Sequence, residues 1–238
     1  MMARAAKYTA SAFGATVEIG PKNIVISGDV KRIIGPDGKE WGPKLAAVTA
    51  GLKAAQQPIT VCSGDELADY IRQHKLKPGG INRSKDLLSD GTVLAAVMEN
   101  GDALITTPAN LPQYVSWDHA AEKATEEQIA AQNINIHHLF TEQGVNDHGR
   151  TDWRLPNMKY ENDHEDDESW MLYKASGAGA LKGTFDKTGS FPASVVWSAR
   201  RYNSDYACIQ WMVDGYQDLS YLGLELPVRP VRRAAPQP

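Results

Sequence analysis

The chain has 238 residues, a formal net charge of −4, and a hydrophobic fraction of 42% beside 23% charged residues. That length suits one large domain or two modest ones, each closing its own core, and the composition is ordinary for a globular protein. Lys and Arg are spread along an acidic chain with no basic stripe for phosphate neutralisation, which excludes a nucleic-acid partner, and no apolar run approaches a membrane span, which excludes membrane insertion.

The opening residues, Met1 to Lys7, carry positive charge with no apolar run behind it, so the expectation is a protein made in the cytoplasm without a signal peptide. Residues 8 to 42 then read as extended. Ala15 to Ile19 and Asn23 to Ser27 are β-branched runs separated by Gly20-Pro21, and Gly35-Pro36-Asp37-Gly38 is a turn. Lys44 to Gln57 is Ala-rich and predicts a helix, and Ile59 to Cys62 returns to a strand pattern. Ser63-Gly64-Asp65-Glu66 fits a capping box ahead of Leu67, Tyr70 and Ile71 on one helical face. Lys77-Pro78-Gly79-Gly80 stops that helix, and the polar stretch Asn82 to Asp90 reads as the connection between two halves. The division is a β-rich region over 1–90, for attachment and oligomerisation, and a second domain over 91–238.

The second half opens with a hairpin, Thr92 to Met98 and Asp102 to Thr107, around Asn100-Gly101, a dipeptide suited to a type I′ turn. Ser116 to Ala131 predicts one helix, capped by Ser116, with Trp117, Ala120, Ala121 and Ala124 on one side. His137 to Phe140 begins a second short helix. From Trp153 onward helical periodicity is scarce, and Ser194 to Ser198, Ala207 to Val213 and Leu226 to Val231 read as strands. The fold class is therefore α+β.

Several blocks come in a fixed order: a hairpin, Trp117-Asp118-His119-Ala120-Ala121, Gly149 to Pro156 with its Asp152-Trp153-Arg154-Leu155-Pro156, Val196-Trp197-Ser198, Ala207 to Gly215 with Gln217, and Val228-Arg229-Pro230-Val231-Arg232. The series resembles a family of unknown function found as the C-terminal domain of a bacterial collagen-like adhesin and in many phage tail and virion proteins. The resemblance covers a little over half the chain. It implies a C-type-lectin-like fold, related in shape to formylglycine-generating enzymes and to retroelement-diversified variable proteins. After Pro156 the chain departs from the family's pattern, with Asn157 to Glu161 leading into an acidic run where the family starts its second helix.

Trp153, Arg154 and Leu155 read as core and bracing residues, and Arg229 and Arg232 as structural, with Pro230 marking an edge or bulged strand. In the alternating run Ala207 to Val213, Trp211 reads as core, while Gln210 on the other face stays open. Two segments differ in kind. Arg200 to Tyr206 and Tyr216 to Tyr221 crowd Tyr, Asn, Ser, Asp and Arg between apolar strands, the mixture that binding loops use, although solvated turns have a similar composition. The family resemblance implies that this part of the fold carries exposed binding positions. The candidate ligand-binding residues are Arg201, Tyr202, Asn203, Asp205, Tyr206, Gln210, Tyr216, Asp218 and Tyr221.

The remaining chemistry is sparse. Cys62 and Cys208 lie far apart and make no disulfide framework, so both read as free and buried, and no His is placed as a base for either. A formylglycine-generating activity would need a pair of cysteines in the domain, where Cys208 is alone. The run Glu161 to Glu168, with six acidic residues and His164, reads either as a solvated insertion or as ligands for a hard cation without EF-hand spacing. His137 and His138 are adjacent and diverge around a helix. No catalytic residue, metal ligand or cofactor is assigned. The expected protein is a non-enzymatic bacteriophage virion component of the tail-fibre, spike or head-fibre kind that recognises a host-surface glycan or protein. It would contact other virion proteins through its N-terminal region and assemble as a homo-oligomer, a trimer by analogy with fibres. The competing expectation is a decoration or collar protein that uses the same domain only for packing in the particle.

Overall fold

The computed structural model describes residues 7–9, 16–19 and 24–27 as backbone, and residues 63–160, 164 and 166–236 in full. The chain divides into two compact units, Met1–Pro58 and Ile59–Pro238. In the first, β1 (Lys7–Thr9), β2 (Thr16–Ile19) and β3 (Ile24–Ser27) form an antiparallel sheet in that order, and the register pairs Thr16 with Ser27 and Ile19 with Ile24. The predicted turn at 35–38, the helix over 44–57 and the strand over 59–62 lie outside the described residues.

The second unit is α+β. Helix α1 (Gly64–Gln73) starts at Ser63, whose hydroxyl accepts from Glu66 N at 3.1 Å. Glu66 does not turn back to complete a reciprocal cap. Its carboxylate instead accepts from Ser89 N and Ser89 Oγ, tying the helix to the segment that follows. Leu67, Tyr70 and Leu88 are buried in the same cluster as Trp117 and Trp153, and Asn82 donates to the Leu94 carbonyl. Residues 82–90 are thus packed into the second unit and do not link two halves. The boundary falls some thirty residues upstream of the expected 90/91, because an irregular polar stretch can be held by burying a few apolar side chains.

Strands β4 (Val93–Val97), β5 (Ala103–Thr106) and β9 (Val231–Ala234) form one antiparallel sheet in the order β4-β5-β9, and β6 (Val195–Arg201), β7 (Tyr206–Trp211) and β8 (Gln217–Tyr221) form another in chain order. The β4–β5 turn corrects the type I′ expectation. Gly101 N bonds to Met98 O and Met98 N to Asp102 O, and only Gly101, at φ 90°, takes a positive angle, so the turn is a longer one closed by a left-handed glycine. Leu226 to Val231 is mostly not a strand. Leu226 makes one isolated bridge to Val115, and β9 begins at Val231 on the edge of its sheet, just past Pro230.

The helix expected over 116–131 is two, α2 (Trp117–Ala121) and α3 (Glu126–Ala130). Thr125 and Gln128 form a reciprocal capping box that starts a new helix and breaks the old one. Next come α4 (His137–Gln143) and α5 (Glu168–Ala175), the latter in the stretch after Trp153 where helical periodicity is scarce. Helix α5 packs against both β4 and β7. One apolar cluster gathers Trp117, Ile134, Phe140, Trp153, Trp197 and Ile209, and a second gathers Val93, Leu104, Met171, Leu172, Phe185, Val196 and Met212, so both sheets have two covered faces. The buried indoles of Trp117, Trp153 and Trp197 donate to the carbonyls of Ser198, Asp147 and Val115, which removes the cost of burying their N–H groups.

The frame closes on two buried arginine systems. Arg229, wholly buried, donates to Asn110 Oδ1 and to the carbonyls of Thr107 and Thr184, with its guanidinium 3.8 Å over the Phe185 ring. Burial among neutral acceptors pushes its pKa down to about 9. Glu168, also wholly buried, takes two bonds from Arg154 (2.6 and 2.5 Å), one from Arg233 Nε (2.5 Å) and one from Asn157 N (2.9 Å). Burial raises the Glu168 carboxyl, but the Arg154 hydrogen bonds and the charges of Arg154 and Arg233 outweigh it, and the net position is below the ordinary 4.5. Its contribution is therefore complete above that value and lost as pH falls through the folded value. Neighbouring Asp167 runs the other way, since burial raises its carboxyl, and it offsets part of the acid loss. Glu168→Gln is expected to cost about 3–5 kcal/mol at neutral pH, because it leaves the mostly buried Arg154 guanidinium without its carboxylate, whereas Arg233 keeps Asp166. In urea unfolding the gap to the wild type should shrink below about pH 4.5.

Candidate functional site

The two polar-aromatic segments flank the sheet β6-β7-β8. At one end the β6–β7 loop is held by its own backbone, with Tyr202 N and Asn203 N donating to Tyr206 O, and Asn203 Oδ1 accepting from Asp205 N and Tyr206 N at 2.9 Å each. The register places Tyr206 opposite Tyr221, and their rings meet at 4.4 Å between centroids. A hydrogen bond between the two phenols, with some desolvation, raises the pKa of Tyr206. Arg201 pairs with Glu126 at 2.5 Å, which anchors the loop to the first turn of α3. At the other end Asp214 Oδ1 caps Tyr216 N, and Gly215 takes φ 85° where a Cβ would come within 2.5 Å of the Tyr173 ring, so this turn lies directly on α5.

Tyr202, Tyr216 and Tyr221 are 53%, 60% and 57% exposed. Tyr160, which the sequence did not single out, lies in edge contact with Tyr202, its ring centroid 6.1 Å away. Burial first, then the proximity of Cys208, Tyr216, Asp218 and Tyr202, raises its pKa. A neutral, half-buried phenol therefore adjoins the exposed ones.

Of the candidate residues, Arg201, Tyr202, Asn203, Asp205, Tyr206 and Tyr221 come together at the loop end of the sheet, and Tyr216 stands at the opposite end of β7 and β8. Two are placed elsewhere. Gln210 is wholly buried, donating to the carbonyls of Trp211 and Tyr216 and accepting from Gln217, so it serves the framework and offers nothing to a ligand. Asp218 is half-buried opposite Ile209 and by strand alternation leaves β8 on the other side from Gln217 and Tyr221, yet it stays near enough to Tyr160 for its charge to raise that phenol's pKa.

Beneath the face runs a buried polar relay. Gln217 Nε2 donates both to Gln210 Oε1 (3.3 Å) and to Asp167 Oδ2 (2.8 Å), and Asp167 caps α5 by accepting from Trp170 N (2.8 Å). The acidic run is thus not wholly a solvated insertion. Asp167 and Glu168 are turned inward on protein donors, and neither carboxylate is left for a cation. Cys208 is a buried free thiol, which burial pushes up to about 11. Among the described residues one group brings three metal-ligand atoms within 4.8 Å of one another, His119, His138 and Glu142. The spacing of residues does not reveal it because it requires α2, which carries His119, to meet α4, which carries His138 and Glu142 at helical spacing.

No family model and no curated protein matches this chain. A neutral, enclosed thiol makes a simple prediction. Native Cys208 should be alkylated at pH 8 at least about 100-fold more slowly than an unperturbed thiol, since its thiolate fraction drops by roughly that factor. Peptide mapping of labelled protein, folded and in denaturant, reads this out. Equal rates would mean that the β7–β8 region opens freely.

Proposed function

We propose that this chain is a non-enzymatic bacteriophage virion protein, of the tail-fibre, spike or head-fibre kind, whose C-terminal unit is a C-type-lectin-like domain recognising a host-surface glycan or protein. The observation that carries the proposal is the set of exposed tyrosines, Tyr202, Tyr216 and Tyr221, flanking one sheet and buttressed by Tyr160 and Tyr206. Tyrosine rings expose apolar area at small entropic cost, and short polar neighbours such as Asn203 and Asp205 add hydrogen-bonding groups beside them. That combination favours a glycan, whose C–H faces meet the rings while its hydroxyls meet the polar groups. The asparagine-locked loop limits the ordering cost of binding. An oligomeric particle, a trimer by analogy with fibres, would convert weak single-site contacts into avidity.

A structural role in the particle is supported by a different observation. Phe191 and Val213 are exposed apolar side chains, and Phe191 lies 6.2 Å from the Trp211 ring, which suits packing on a neighbouring subunit. Replacing Tyr202 and Tyr221 with Ala, both surface positions, separates the two roles. If the face binds host cells, adsorption of otherwise intact particles falls at least about tenfold, the loss of one modest aromatic anchor. Unchanged adsorption with particles that fall apart would replace host recognition by virion packing.

A further inference from the structure

Two short helices bring four ligand-type side chains to one place outside the tyrosine face. Helix α2 carries His119, with Glu122 immediately after its end three residues on, and α4 carries His138 with Glu142 four residues on, spacings that set each pair on one helical side. His119 Nε2 lies 2.9 Å from Glu142 Oε2, His119 Nδ1 lies 3.3 Å from Glu122 Oε2, and His138 Nε2 lies 4.0 Å from Glu122 Oε1. The two imidazoles meet edge to face with centroids 5.9 Å apart.

We propose that His119, His138 and Glu142 bind a divalent cation of the zinc class, with Glu122 as the residue that positions His119. The chemistry is that of the donors, since two imidazoles and one carboxylate form a set that holds Zn²⁺ with a fourth position left for water. The three donor atoms already lie within 4.8 Å of one another. A tetrahedral ion with bonds of about 2.0–2.1 Å sets its donors about 3.3 Å apart, so closure takes side-chain rotation of roughly an ångström. His119 and Glu142 are partly exposed and have room to make it.

The second contact of His119 distinguishes this group from a chance pairing of surface charges. A metal-bound imidazole needs its other N–H held by an acceptor to fix tautomer and ring orientation. Glu122 Oε2 stands at that nitrogen, while Lys123 Nζ takes the other oxygen at 2.7 Å. His138 Nε2 lies 3.2 Å from the His119 carbonyl, a contact it surrenders when it turns its lone pair to the ion. Binding clips α2 to α4.

The test titrates zinc chloride into the full-length chain by calorimetry and follows cobalt substitution by visible absorption. The wild type is expected to bind one Zn²⁺ and to give the intense spectrum of a tetrahedral cobalt site. His119→Gln and Glu142→Gln should each weaken binding at least tenfold, and Glu122→Gln about tenfold with the cobalt spectrum retained, as expected of a positioning residue. His137→Gln, on the same helix but bonded to Asp147, should leave binding unchanged. Circular dichroism checks that each variant is folded. Undiminished zinc affinity in a folded His119→Gln/His138→Gln double variant, or no saturable zinc binding by the wild type, overturns the proposal.

Discussion

The second unit depends on the buried carboxylate of Glu168. It sits at the first position of α5 and takes charge-assisted bonds from Arg154, which bridges to Val231 through its backbone, and from Arg233 on β9. Two guanidinium groups around one buried carboxylate would be costly if any partner were lost, so the arrangement specifies geometry more than it adds stability. The residue before it makes the complementary connection. Asp167 caps the same helix and receives Gln217 from β8. Two adjacent acidic residues therefore join α5 to both sheets, one to the β4-β5-β9 sheet and the other to the β6-β7-β8 sheet.

That junction also explains why the tyrosine face is built as it is. The exposed rings stand on β8 and on the two connections beside it, and the strand is braced from below by the Gln210–Gln217–Asp167 relay. The turn bearing Tyr216 lies on Trp170 and Tyr173 through Gly215, a contact that any larger residue would push apart. A recognition surface on loops gains from such bracing, because loop ordering is then complete before a partner arrives.

Local chemistry was legible in the sequence and long-range chemistry was not. Ser63 and Ser116 cap helices as their positions imply, and the strands of both hairpins follow their apolar runs. The break at Thr125 was also readable, since Thr125 and Gln128 have the spacing of a capping box inside what periodicity alone makes a single helix. Helix α5 was hidden because its cap, Asp167, is embedded in an acidic run that composition assigns to solvent. Strand β8 was hidden because Gln217, Asp218 and Ser220 are the polar residues of an edge strand. Alternation assigned Gln210 to the right strand face without revealing that the face is covered. Tyr160 and the His119 group could not be found by spacing, since each is assembled from segments that only the fold brings together.

Asp167 and Glu168 make the two sheets one cooperative unit, which native-state hydrogen exchange can check. In Glu168→Gln the amides of β9, which lose a direct partner, and those of β8, which do not, should lose protection together and by similar factors. Loss confined to β9 and the start of α5, with β8 as protected as in the wild type, would contradict it.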